Sequence, residues 1–219
     1  RLNYPLIDGK VVGCPSHLLE PQSTNLLTYS EQFDDSIWVE SNINISTNQT
    51  ISPNGSLNAD LLTLSSGSST HSVRNNTSET VSVGNVISLS VFAKKKNYGI
   101  VQISAFAFGS VYANFDLENG VVGLYNSTNA SIENYGNGWY RCTLTATAVS
   151  TSNSKIQINI VENLESLRNA SFNAVGNETL YLWGATTEVN SFPTSYIPTT
   201  TTAVTRSAET ANGAGDAST

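Results

Sequence analysis

The 219-residue chain is short of charge, of sulfur and of long apolar runs, and each shortage excludes something. Only 12% of its side chains are Asp, Glu, Lys or Arg, about half the share usual in soluble domains. Their balance is acidic, with 17 Asp+Glu against 10 Lys+Arg and a net charge of −7. That argues against a nucleic-acid partner, which needs a Lys/Arg surplus on one face. No stretch approaches the roughly 18 apolar residues of a transmembrane helix, so no membrane partner is expected. Two cysteines, Cys14 and Cys142, are too few for a disulfide framework and lack zinc-type C-x-x-C spacing; two unpaired buried thiols are expected, with a single bridge left open. Met is absent, no charged-then-apolar leader opens the chain, and a small-residue tail closes it from Ala211 to Thr219. The chain therefore reads as a piece of a longer protein.

What is present is neutral polarity. There are 30 Ser, 24 Thr and 25 Asn, more than a third of the chain, beside 39% hydrophobic residues that include nine Tyr, seven Phe and three Trp. That is enough apolar material for one sizeable core. Convincing 3.6-residue periodicity is missing: Asp34–Trp38 opens at most a short helix or turn, and Val161–Leu167 reads as a loop. A period of two is clear instead. Val86–Lys94 sets Ile87, Leu89, Val91 and Ala93 against Ser88, Ser90, Phe92 and Lys94. The same alternation runs through Ile100–Phe108, Trp139–Ala148 and Lys155–Val161, and further strands are predicted at 43–46, 58–64, 70–74, 111–117, 121–124, 131–134 and 179–189. Turn signals such as Pro53-Asn-Gly55, Asn119-Gly120 and Gly136-Asn-Gly138 separate them. Many short strands without interleaved helices predict an all-β, two-sheet antiparallel β-sandwich. We expect an irregular entry over residues 1–24, the sandwich over 25–198, and a linker to a following domain over 199–219.

Enzymatic signatures are sparse. His17 and His71 stand in different contexts, no nucleophile sits in a strand-turn-helix elbow, and no phosphate loop, dinucleotide fingerprint or EF-hand loop occurs. Asp116-Leu-Glu118 is the nearest approach to the paired carboxylates of a retaining glycosidase, but it runs into a hairpin turn. A non-enzyme is expected.

Non-covalent chemistry fits better. Sugars offer C–H faces to aromatic rings and hydroxyls to amides and hydroxyl groups. On the strand positions facing away from the core, the candidate binding residues are Phe92, Lys94, Gln102, Phe106, Tyr112, Asn114 and Arg141, with Ser104, Gln157 and Asn159 beside them. Lys94-Lys-Lys96 is the basic cluster of an acidic chain; with His71 and Arg74 it would meet the carboxylate or sulfate groups of an anionic glycan. Trp183 lies in an apolar strand and belongs to the core, Trp139 follows a turn, and Trp38 belongs to the sandwich edge.

Several segments together carry a resemblance. They are Leu18–Phe33, Ser52-Pro-Asn-Gly55 with Ala59-Asp60, Leu89–Lys94, Asn114–Gly120, Asn137–Arg141, Leu182–Ala185 with Glu188, and Thr194–Thr200 with Thr205-Arg206. The pattern resembles the β-sandwich module of phage tail-fibre and head-fibre proteins and of secreted marine bacterial proteins, itself similar to carbohydrate-binding modules of the jelly-roll type. The resemblance implies a jelly-roll fold and a non-catalytic domain that binds a polysaccharide or host-surface glycan, extracellular or on a virion surface, beside neighbouring domains of the parent protein. It requires no cofactor but allows a structural calcium ion, for which Glu31, Asp34, Asp35, Asp60 and Glu188 are the oxygen donors at hand. The alternative is a structural or oligomerisation domain of a virion fibre, such as a homotrimer, without glycan binding.

Overall fold

The computed structural model describes residues 2–3, 6–7, 10–11, 16–17, 19–105, 109–127, 129–153 and 155–210. Twelve strands build its two main sheets: β1 (Trp38–Ser41), β2 (Ile43–Ile51), β3 (Leu57–Leu64), β4 (His71–Asn75), β5 (Val86–Lys95), β6 (Ile100–Ala105), β7 (Tyr112–Asp116), β8 (Val121–Asn126), β9 (Asn129–Gly136), β10 (Trp139–Thr147), β11 (Ile156–Ile160) and β12 (Thr179–Glu188). One sheet, A, has the order β8-β7-β6-β11-β4-β1; the other, B, has the order β9-β10-β5-β12-β3-β2. Every pairing is antiparallel. The chain passes repeatedly from one sheet to the other, which is a jelly-roll sandwich. Among the described residues there is no helix, and Val161–Leu167 is a loop, as its lack of periodicity implied.

The period-2 pattern is the cause of the architecture. Val73, Val101, Ile103, Phe115, Ile156, Ile158 and Ile160 point inward from sheet A, and Leu62, Ile87, Leu89, Val91, Leu144, Leu180 and Leu182 answer from sheet B; all are essentially free of solvent. Burial of such a side chain contributes about 1.5–3 kcal/mol, so this layer outweighs any surface contact described below. Cys142 sits within it as a free thiol, and burial pushes that thiol well above the ordinary cysteine range. Cys14 lies outside the described residues.

Residues 199–206, which the expected linker included, are tied to the sandwich. Val204–Arg206 pairs with Ser23–Asn25, and the backbone amides of Tyr29 and Ser30 donate to Thr200 and Thr199. The physical reason is the buried amide of Asn25. Its Nδ2 donates to the carbonyls of Ala185 and Ile197 at 3.2 and 2.9 Å, which ties both segments to the end of β12. Strand β1 escaped the sequence reading because Trp38-Val-Glu-Ser41 is short and only its tryptophan is buried.

Candidate functional site

The strand pairing divides the candidate binding residues between opposite sides of the sandwich. Gln102, Ser104, Tyr112, Asn114, Gln157 and Asn159 share the outer face of sheet A, whereas Phe92, Lys94 and Arg141 share the outer face of sheet B. One surface therefore cannot contain them all. Phe106 lies outside the described residues. His71 and Arg74 also part company, because residues three apart on a strand face opposite ways. His71 is fully buried, its Nδ1 2.9 Å from the Asn42 carbonyl and its ring 5.1 Å from Phe172. Arg74 joins the outer face of sheet A, across the sandwich from Lys94.

The face of sheet A was expected to be wet, and much of it is not. The loop 162–170 lies across it and accepts what it donates. Asn114 Nδ2 donates to the carbonyls of Leu164 and Ser166 at 2.9 and 2.7 Å. Gln102 Nε2 donates to Asn114 Oδ1 and to the Leu167 carbonyl at 2.7 and 3.1 Å, while its Oε1 accepts from the Asn169 amide at 2.8 Å. Ser104, Asn159 and Gln157 continue the chain of bonds. Gln102, Ser104 and Asn114 are fully buried, and Tyr112 nearly so. These groups therefore satisfy one another and the loop. At the other end the face stays open as a cleft of about 320 Å³ that includes Glu40, Ser41, Thr70, Ser72, Arg74 and Gln157, with no aromatic ring.

The outer face of sheet B is aromatic. Phe92, Trp139 and Trp183 form a second buried cluster against Tyr181 and Tyr196. Phe92 meets Tyr135 edge-on at 4.8 Å, and Trp183 meets Tyr196 at 4.6 Å. A glycine at 184, with φ +59°, makes room: a Cβ there would lie 3.1 Å from the Phe92 ring and 3.2 Å from that of Tyr196. Phe92 faces outward as the alternation requires, yet rings from β9 and from the loop after β12 close over it.

Arg141 lies on this layer, only 4% exposed, with its guanidinium 5.3 Å from the centre of the Phe92 ring. Its Nε donates to Ser90 Oγ at 3.0 Å and its Nη1 to the Thr194 carbonyl at 2.7 Å. Nη2 stands 3.9 Å from Glu188 Oε1 and has no hydrogen-bond partner. Glu188 is held by the Ser23 hydroxyl at 2.5 Å and by the amide and hydroxyl of Thr194. Arg141 forms part of the floor of a cavity of about 360 Å³, whose walls include Leu19, Glu20, Glu133, Tyr135 and Phe192. Tyr135 and Phe192 are 36% and 51% exposed. Glu20 is neutralised, its carboxylate ion-paired with Arg206 Nη1 at 2.7 Å and accepting from the Ser195 amide at 2.9 Å. A second compartment of about 270 Å³ adjoins it, lined by Thr50, Ser52, Lys94, Asn137 and Trp139 among others, and Tyr135 borders both.

The sequence reading named Arg141 and Lys94 for this face but missed Tyr135, Glu133 and Phe192. A signal existed for two of them: Ser131, Glu133 and Tyr135 continue a period of two into the Gly136-Asn-Gly138 turn. Phe192 stands in a loop and carried none.

The acidic residues serve the scaffold. Asp116 caps its own turn, accepting from the Glu118 amide at 2.7 Å and from Asn119 Nδ2 at 2.7 Å; although burial raises its carboxyl, these donors and nearby Lys95 hold it below the usual range. Glu118 pairs with Lys95. Among the five carboxylates considered for calcium, Asp60 accepts from the Phe33 and Asn48 amides, Glu31 accepts from Asn58, and Glu188 faces Arg141. Among the described residues no three His, Cys, Asp or Glu side chains converge.

Neither a protein-family model nor a curated protein matches the chain. Among solved structures it is similar to the carbohydrate-binding module TmCBM61 in complex with β-1,4-galactotriose, with a TM-score of 0.44 and 12% identity over 74% of this chain and 97% of that one. It is similar to the CBM22-1–GH10 modules of Clostridium thermocellum xylanase 10B complexed with xylohexaose, with a TM-score of 0.49 and 13% identity over 82% of this chain and 30% of that one. It is also similar to the enzymatically active domain of bacteriophage CBA120 tailspike protein 4, with a TM-score of 0.43 and 12% identity over 74% of this chain and 21% of that one. At these identities the likeness concerns the fold alone.

Proposed function

We propose that this sandwich is a non-catalytic carbohydrate-binding domain and that it holds a glycan on the outer face of sheet B. The observation that carries the reading is a cavity flanked by two exposed rings, Tyr135 and Phe192, with Arg141, ion-paired to Glu188, in its lining. Glu133 would accept from a neighbouring sugar hydroxyl, and Tyr135 and Phe192 would pack on the C–H faces of the ring. Glycoside hydrolysis needs two carboxyl groups across the scissile bond, and here Glu20 is committed to Arg206 and Ser195. Such a site binds weakly by itself. The domain would act within a larger secreted or fibre protein, where repeated copies or a tethered partner raise the avidity.

Affinity electrophoresis against a panel of neutral and anionic polysaccharides tests the reading. The folded domain should be retarded by at least one polymer, and Tyr135→Ala or Phe192→Ala should weaken that retardation about tenfold. No retardation by any polymer, or retardation that both variants leave intact, overturns it. A homotrimer that covers this cavity and binds no glycan would mark the domain as a fibre spacer instead.

A further inference from the structure

We infer that the glycan held on sheet B carries a carboxylate or sulfate group, bound by Lys94 in the compartment next to the Arg141 cavity. This deepens the carbohydrate-binding reading and rests on it. The three lysines of the basic run have different surroundings. Lys95 is paired with Glu118, and the Lys96 ammonium lies 5.8 Å from the centre of the Tyr181 ring. Lys94 forms no ion pair with any described residue, and it lines the compartment bounded by Tyr135, Asn137 and Trp139. Its stem rests on the turn after β9: a Cβ on Gly138 would lie 3.5 Å from Lys94 Cε. The stem is thus supported by backbone, and no carboxylate lines the compartment.

The adjoining cavity has the opposite character. The charges of Arg141 and Glu188, and of Glu20 and Arg206, offset each other there, and Glu133 adds one negative charge. An acidic sugar would meet that carboxylate unfavourably, whereas a neutral sugar would donate a hydroxyl to Glu133. Because Tyr135 borders both compartments, one chain can occupy both. The arrangement selects a neutral residue over Arg141 next to an acidic residue over Lys94. The two volumes together lie within the usual range for ligand sites.

The test uses polymers that alternate neutral and acidic residues, each beside its uncharged form: hyaluronan and unsulfated chondroitin beside their carboxyl-reduced forms, and κ-carrageenan beside its desulfated form. At low salt the wild-type domain should bind one anionic polymer about tenfold more tightly than its neutral counterpart, as a charge-assisted hydrogen bond allows. The preference should fade at high salt, where exposed charges are screened. Lys94→Gln should abolish the preference and Lys94→Arg should keep it. Equal retardation by both members of every pair, or a preference that survives Lys94→Gln, overturns this inference and leaves the carbohydrate-binding reading standing. Retardation by none of the polymers overturns both.

Discussion

Arg141 and Glu188 face each other across β5 at 3.9 Å, with side-chain exposures of 4% and 0%. Glu188 also gathers Ser23 from the entry segment and Thr194 from the loop that walls the cavity, so this one carboxylate joins two sheet strands to both flanking segments. Removing one member of a buried pair strands the other charge out of water, which typically costs about 3–5 kcal/mol. Glu188→Ala should therefore lower the urea midpoint by an amount equivalent to that loss and release the 190–197 loop. Glu188→Gln, which retains an acceptor, should cost less.

The polar ladder on sheet A makes a contrasting prediction. Asn114→Ala removes the donors that satisfy the Leu164 and Ser166 carbonyls and should destabilise the domain by about 1–3 kcal/mol. Amide hydrogen exchange over residues 163–169 should accelerate, while polysaccharide retardation stays as in the wild type. Loss of retardation in a folded Asn114→Ala domain would move the binding site to sheet A.

Gly123 is a sharper probe of the same loop. A Cβ at that position would lie 2.6 Å from the Leu164 carbonyl oxygen and 2.7 Å from Leu164 Cβ, contacts that no side chain sustains. Gly123→Ala should push the loop off β8 and break the hydrogen bond from the Leu124 amide to the Leu164 carbonyl. Limited proteolysis should then cut within 162–170, in the variant and not in the wild type.

Stability should also depend on pH through Asp60. Burial pushes its carboxyl up to about 6, against the pull of the Asn48 and Phe33 amides and with Asp34 adding to the rise. The folded state then binds this proton more tightly than the unfolded chain, whose ordinary value is 3.8. The favourable contribution is fully present below that value and is lost as pH rises through about 6. Urea midpoints should fall across this window by the equivalent of about 2–3 kcal/mol. Asp60→Asn, which does not titrate, should remove that slope.

Much of the fold was legible because a pleated strand writes its burial into alternate residues. Val86–Lys95 and Trp139–Thr147 show it directly, inward Leu89 and Leu144 alternating with outward Ser90 and Arg141. The candidate site was legible only in part, because alternation says which way a side chain points and not which sheet carries it. Phe92 and Tyr112 both point away from the core, yet on opposite sides of the molecule. Nor does alternation reveal what lies on top. Gln102 and Asn114 have the pattern of wetted residues, and the loop that covers them has no period of its own. Phe192 lacked a signal for the same reason, since its place depends on where Glu188 and Arg141 anchor the neighbouring Thr194.

The pairing of Ser23–Asn25 with Val204–Arg206 has a mechanical consequence. Because Ser23 faces Arg206 and Asn25 faces Val204, the segments that lead into Ser23 and out of Arg206 leave the pair at the same end. Tension along a longer polypeptide would load this pair by peeling, one bond after another, rather than by shear of all its bonds at once. The Glu20–Arg206 ion pair, just outside it, takes the first strain. Because Glu20 walls the Arg141 cavity and Ser23 holds Glu188, opening this clasp under force would also loosen the sheet B face.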